Sequence, residues 1–276
     1  MRIPPAILTL LTGMGLVLAG LWIGQNVNVL PVDASANAPV YDELFKVLFS
    51  IGTILFVGIL GLLIYSLARF RRRVGELGDG AAIEGNLPLE ILWTAIPAVV
   101  VLFVGIYSYD IYDRMGGMTP LNDHSMHGMQ AEQRTWGGIS PVSFDGQQGV
   151  APLPIDVTAM QFAFIFHYPE ADITTGELHV PVGQPVALQM KALDVIHAFW
   201  VPQFRLKQDV IPGQPTLLSF TPTRAGSYPI VCAELCGPYH GGMRSTVIVE
   251  EPESFAAWVA QNSPNAPSEA PTAVQS

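Results

Sequence analysis

The stretch Val231-Cys232-Ala233-Glu234-Leu235-Cys236-Gly237-Pro238-Tyr239-His240-Gly241-Gly242-Met243 holds both cysteines of a 276-residue chain, with a histidine and a methionine close behind them. Thiolate, imidazole and thioether are soft donors, and soft donors select copper over magnesium, calcium or manganese. A mononuclear blue-copper site takes two imidazoles, one thiolate and a weak axial thioether; the first imidazole comes from an earlier strand. His197, in Asp194-Val195-Ile196-His197-Ala198-Phe199-Trp200, lies 35 residues before Cys232, across strand-like sequence that can fold it back onto the loop. His197, one cysteine, His240 and Met243 therefore complete such a site, and one thiolate is left over. Paired thiolates on one tight loop can bridge a pair of copper ions. Each ion then needs one histidine and one weak donor. Met243 serves one ion; for the other only Ala233, Glu234 and Leu235 lie between the cysteines, and the Glu234 backbone carbonyl is the candidate.

Other readings of the cysteine pair explain less. A short-loop disulfide gives His240 and Met243 no role, and structural zinc has no use for a thioether. A membrane-anchored copper chaperone or thiol oxidoreductase built on Cys-x3-Cys would show βαβ alternation, with its histidine far from the cysteines. No Cys-x-x-Cys-His occurs, which excludes an attached c-type haem. His124 and His127, beside Met126 and Met129, read as a solvated loop rather than a metal-loading tract.

The donors need a rigid frame. From Pro152 onward, short runs rich in β-branched and aromatic residues are broken by Pro and Gly, which reads as a string of strands. Phe162, Phe164, Phe166 and Tyr168 alternate onto one face, as do Val186, Leu188 and Met190. Such a segment over 151–262 implies a Greek-key sandwich or barrel. At its end Phe255, Trp258 and Val259 fall at helical spacing, and the Pro/Ser/Ala-rich tail 263–276 reads as disordered.

The frame is tied to a membrane. Half of the residues are apolar and only 13% are charged; mean hydropathy is +0.37, which is unusual for a soluble protein. Val47 to Leu67 is a run of 21 uncharged residues and Ile91 to Tyr109 another of 19. At about 1.5 Å per residue each helix covers roughly 30 Å, the hydrocarbon thickness. These runs form a transmembrane hairpin over 41–112. Arg69, Arg71, Arg72 and Arg73 follow the first span and place the intervening loop in the cytoplasm, so the cysteine-bearing region lies outside. Residues 1–36 form either a signal peptide, with a cleavage site after Ala36, or an extra transmembrane helix. Residues 113–150, rich in Gly, Met, Ser and Gln without apolar periodicity, form a linker. The net charge is −10 although the arginines sit inside, so the outer portion is strongly acidic. That favours a basic partner and argues against nucleic acid.

The pattern Cys-x-Glu-x-Cys-x3-His-x2-Met over Cys232 to Met243 resembles subunit II of the haem-copper cytochrome c oxidases. So do the segment from Asp194 to Asp209 and Leu89-Glu90-Ile91-Leu92-Trp93-Thr94-Ala95-Ile96-Pro97 in a two-helix hairpin. The likeness runs over roughly 44–262, and the wording of the strands is most similar to the cyanobacterial-type members. The resemblance implies a cupredoxin domain holding the dinuclear copper centre CuA. It further implies a magnesium shared with subunit I through the Glu234 carboxylate, and oxidase subunits I and III as partners. The chain would pass electrons from a soluble donor to haem in subunit I for proton-pumping reduction of dioxygen. By the same resemblance Glu90 stands at the cytoplasmic entrance of a proton pathway, and Asp194 is one of the acidic residues on which cytochrome c docks. Where the family usually carries Gln followed by Trp-Tyr-Trp, this chain has Gln161-Phe162-Ala163-Phe164. Phe162 thus replaces the aromatic residue through which electrons enter, and both cytochrome c and a plastocyanin-like donor stay open. The implied location is a bacterial plasma membrane or thylakoid, with the copper domain on the periplasmic or lumenal side. The nearest alternative within the chemistry is the CuA subunit of a nitric oxide reductase, since the reaction belongs to the partner chain.

Overall fold

The computed structural model describes residues 4–72, 74–75, 78, 85–115 and 151–264. It divides into two compact units, one of Met1–Leu30 with Asp42–Ile111 and one of Pro31–Tyr41 with Tyr112–Ser276. Most of the 113–150 linker, with His124 and His127, lies outside the described residues, as does the tail beyond residue 264.

The first unit is built from α1 (Pro5–Asn26), α2 (Ala38–Arg69) and α3 (Leu87–Arg114). All three are long and apolar enough to cross a membrane. Large apolar side chains such as Leu10, Leu62 and Val101 stand about 70% exposed on them, as a lipid-facing surface requires. Within the leading segment α1 packs closely on α2. A Cβ at Gly20 would collide with Ile54, and one at Gly24 with Ser50. Gly20 and Gly24 are one turn apart on one face, the small-xxx-small spacing that lets helix backbones approach in lipid. At the start of α3 a reciprocal cap replaces missing helical bonds: Leu89 N–H donates to Asn86 Oδ1 at 3.2 Å, and Asn86 N–H donates to Glu90 Oε1 at 3.0 Å.

The second unit is a β-sandwich. Its strands are β1 (Leu153–Met160), β2 (Ala163–Tyr168), β3 (Ile173–Thr175), β4 (Leu178–Pro181), β5 (Val186–Ala192), β6 (His197–Val201), β7 (Leu206–Val210), β8 (Thr216–Phe220), β9 (Gly226–Cys232) and β10 (Arg244–Glu250). One sheet runs β3-β2-β1-β5-β8 and the other β4-β10-β9-β6-β7. Among the described strands β1 with β5 and β10 with β4 pair in parallel, and the other pairs are antiparallel. The expected alternation places Phe164, Phe166 and Tyr168 in the core, with Val186, Leu188 and Met190 from β5. Phe162 falls just before β2 and is only partly buried. α4 (Pro252–Asn262) closes the domain by laying Phe255, Trp258 and Val259 on the core. Trp258 stacks on His179 with ring centroids 4.1 Å apart.

Residues 31–41, the segment that leads into α2 together with its first turn, belong to this unit. Ala34 N–H donates to the Gln203 carbonyl at 3.0 Å, Ala36 N–H to Thr221 at 3.0 Å, and Thr223 N–H to Ala34 at 2.9 Å. Ala34 is wholly buried in the hydrophobic core.

Candidate metal centre

The sandwich brings the distant donors together at one end. His197 opens β6 and Cys232 closes β9, and these strands are neighbours, with Phe199 opposite Cys232. Eleven residues of loop, ending in a 3₁₀ turn over His240–Gly242, lead from Cys232 to β10. Cys232 N–H donates to the Met243 carbonyl at 3.1 Å, so the loop is clamped at its base. His197 and Met243 are fully buried and both cysteines are 3% exposed.

The donor atoms fall into two matched halves. Cys232 Sγ lies 3.8 Å from His197 Nδ1 and 3.3 Å from the Glu234 carbonyl oxygen. Cys236 Sγ lies 3.5 Å from His240 Nδ1 and 3.7 Å from Met243 Sδ. Between the halves the sulfurs are 3.9 Å apart. Both thiols are free, and that gap is far beyond a disulfide bond of about 2.05 Å. It is also shorter than twice a metal–thiolate bond of about 2.3 Å, so one ion can touch both sulfurs. The nitrogen of His197 and both sulfurs lie within 4.8 Å of one another. The donor set therefore fits a soft metal, and copper above others.

Burial, and then the neighbouring Cys232 thiol, push the Cys236 thiol up to about 11. Copper takes the thiolate, so loading must expel that proton. Copper affinity of the metal-free chain is expected to rise with pH between about 6 and 8, with proton release measurable by calorimetry in buffers of different ionisation enthalpy. An affinity independent of pH would contradict thiolate ligation. Met243 is the weak donor of its half, and leucine preserves most of its buried volume. Met243→Leu is thus expected to keep copper while shifting the reduction potential; potentiometric titration checks this, and complete copper loss would contradict the weak-donor role.

The Glu234 carboxylate is 44% exposed and sits 3.9 Å from Lys207 Nζ, which also pairs with Asp209 at 2.9 Å. Phe162 lies against the copper loop, edge to face with Tyr239 at 5.4 Å. Asp194 is turned toward His197, its Oδ1 2.8 Å from His197 Nε2. Burial opposes ionisation of Asp194, but hydrogen bonds from His197 and from the Gln161 and Val195 N–H groups outweigh it and hold the carboxyl at about 2. Glu90 is in the membrane unit and forms part of the α3 cap. Sequence reasoning passed over Gln161, whose Nε2 donates to the Cys236 carbonyl at 2.6 Å. It also passed over Gly237, at φ 138°, where a Cβ would lie 2.9 Å from Gln161 Nε2. The glycine directly after a ligand cysteine was the available signal for a backbone no other residue adopts easily.

The chain is similar to known proteins along most of its length. Residues 20–111 match the family profile described as cytochrome c oxidase subunit II, transmembrane domain, and residues 169–251 the profile of its periplasmic domain. Cytochrome c oxidase subunit 2 of Thermostichus vulcanus is 49% identical over 95% of this chain and 86% of its own. The Synechocystis sp. counterpart is 46% identical over 98% of this chain and 86% of its own. The crystal structure of the periplasmic domain of subunit II of cytochrome oxidase (CoxB) of Bradyrhizobium japonicum matches with 31% identity and a TM-score of 0.39, covering 41% of this chain and 94% of that one.

The fold and the donor set define a membrane-anchored, copper-binding cupredoxin. The chain belongs to the cytochrome c oxidase subunit II family. It is a subunit of an oxidoreductase complex, assembled with other oxidase subunits, and its copper domain lies outside the membrane.

Proposed function

We propose that this chain accepts electrons from a soluble donor at a dinuclear copper centre and passes them to haem in subunit I, where dioxygen is reduced to water with proton pumping. One observation carries the reading: each buried thiol has its own histidine and its own weak donor, and the thiols lie 3.9 Å apart. His197, Cys232, the Glu234 carbonyl, Cys236, His240 and Met243 would hold the copper. Copper held by these residues would supply one-electron redox chemistry, and an unpaired electron shared by a copper pair would ask little change of geometry from them on redox. The chain's own contribution is rigidity and dryness. The loop is clamped by backbone bonds at Cys232 and by His240 N–H to the Gly237 carbonyl at 3.1 Å, and the sulfurs are shielded from water.

The remaining roles extend the same reading. The exposed Glu234 carboxylate is available to a magnesium whose other oxygen ligands come from subunit I. Glu90, at the first turn of α3, would receive protons at the cytoplasmic entrance. Subunit III and membrane lipid would surround the helices. A basic donor, cytochrome c or a plastocyanin-like protein, would dock on the acidic outer surface to which Asp194 contributes, with electrons entering near Phe162. Electron paramagnetic resonance of the copper-loaded full-length chain tests the centre. Hyperfine coupling to two equivalent copper nuclei is expected; a single-copper spectrum would overturn the dinuclear reading.

A further inference from the structure

We infer that Asp194, together with Gln161, is a positioning residue of the copper centre: one carboxylate fixes the ring of His197 and at the same time ties the Phe162 turn to the copper loop. The inference rests on the copper reading above.

Asp194 lies just before β6 and uses both carboxylate oxygens. Oδ1 accepts from His197 Nε2 at 2.8 Å and from the Val195 N–H at 2.7 Å. Oδ2 accepts from the Gln161 N–H at 2.7 Å, reaching 33 residues back in sequence to the turn between β1 and β2. From that turn Gln161 Nε2 donates to the Cys236 carbonyl at 2.6 Å. The contacts close into a ring. They run from His197 through Asp194 and Gln161 to Cys236, and return by the sulfur of Cys232 to His197 Nδ1. One ligand from each half of the centre is thus held by the same two residues. Phe162 follows Gln161 directly, and a Cβ on Gly237 would sit 3.3 Å from its ring, so the turn and the loop are in close contact.

The chemistry of this ring is specific. An ionised carboxylate only accepts hydrogen bonds, so His197 Nε2 must carry its proton and the Nδ1 lone pair is left facing Cys232. A negative charge behind the imidazole makes it a more basic ligand and fixes its orientation. Docking needs a free, solvated charge. Here the side chain of Asp194 is 30% exposed and both oxygens are engaged. Whatever its charge adds to donor attraction, its geometry serves the ligand.

The test uses the full-length, copper-loaded chain with no donor present. Asp194→Asn keeps the shape but removes the charge and one acceptor. The dinuclear signal should persist with a higher reduction potential, a changed His197 nitrogen coupling in electron–nuclear double resonance, and copper affinity lower by about tenfold to a hundredfold. A residue that serves docking alone would leave all three unmoved, and that result would overturn the inference. Gln161→Leu keeps the backbone N–H on Asp194 and loses only the bond to Cys236. Copper should then leave faster under chelator challenge at an unchanged potential, and a wild-type release rate would overturn the Gln161 half even if Asp194→Asn failed to fold. Circular dichroism of the copper-free variants checks the fold. A single-copper spectrum in the wild-type chain would instead defeat the copper reading, and this inference with it.

Discussion

Cys236→Ser is expected to abolish the dinuclear copper spectrum and leave at most a mononuclear site. Cys232 alone, with His197, can satisfy one copper, and Cys236 is the residue that links the two halves: its sulfur is 3.9 Å from Cys232, 3.5 Å from His240 and 3.7 Å from Met243. A serine hydroxyl is a hard donor that stays protonated, so it cannot bridge soft copper ions. The half that contains His240 and Met243 then loses its own thiolate and keeps only a share of the Cys232 sulfur. Copper stoichiometry should fall accordingly, and electron uptake by an oxidase assembled with the variant should fall further than the about 10–100-fold typical of outer-shell changes. The fold itself should survive, because burying one hydroxyl costs about 1–3 kcal/mol. Thermal unfolding of the copper-free variant separates that cost from ligand loss. An unchanged resonance spectrum would show that Cys236 is not a ligand.

How much of this was legible in the sequence follows from how local each feature is. Cys232, Cys236, His240 and Met243 lie within one loop, and their types and spacing carry the metal choice before any fold is known. His197 could be added because donor chemistry demanded a second imidazole on an earlier strand. The strands themselves announced their faces through period-two alternation at Phe164, Phe166 and Tyr168, and α4 through the spacing of Phe255, Trp258 and Val259. Contacts across long separations had no such signature. Asp194 reads as a surface carboxylate in the sequence, because nothing local says that Gln161, 33 residues away, will donate to it. The parallel pairing of β1 with β5 is likewise set by the two-sheet topology rather than by either strand's own pattern. The small-residue stretch at 33–38 has the composition of a processing site. Its burial against backbone far along the chain, such as Ser35 Oγ donating to the Phe204 carbonyl at 2.8 Å, is a tertiary fact.

That burial leads to the other large effect. Removing residues 1–36, as scission after Ala36 would do, is expected to destabilise the copper domain by about 3 kcal/mol or more. The lost contacts are specific. Ala34 fills a core position with no exposure, and backbone bonds at 2.9–3.0 Å join it and Ala36 to Gln203, Thr221 and Thr223. Ser35 bridges to Pro222 and its hydroxyl serves the Phe204 carbonyl. Arg205 Nη2 reaches the Pro31 carbonyl at 2.7 Å. Each bond contributes about 0.5–1.5 kcal/mol net, offset in part by the entropy of ordering the segment. Against a domain stability of about 5–15 kcal/mol this loss is large. Residues 33–38 therefore pack as part of the copper domain, and α1, whose Gly20 and Gly24 lie against α2, is expected to be retained as a span. The chain isolated from its membrane should, by intact mass, begin upstream of Asp33, and a chain lacking residues 1–36 should unfold at markedly lower temperature than the full one. A mature chain starting at Asn37 with undiminished thermal stability would refute both statements at once.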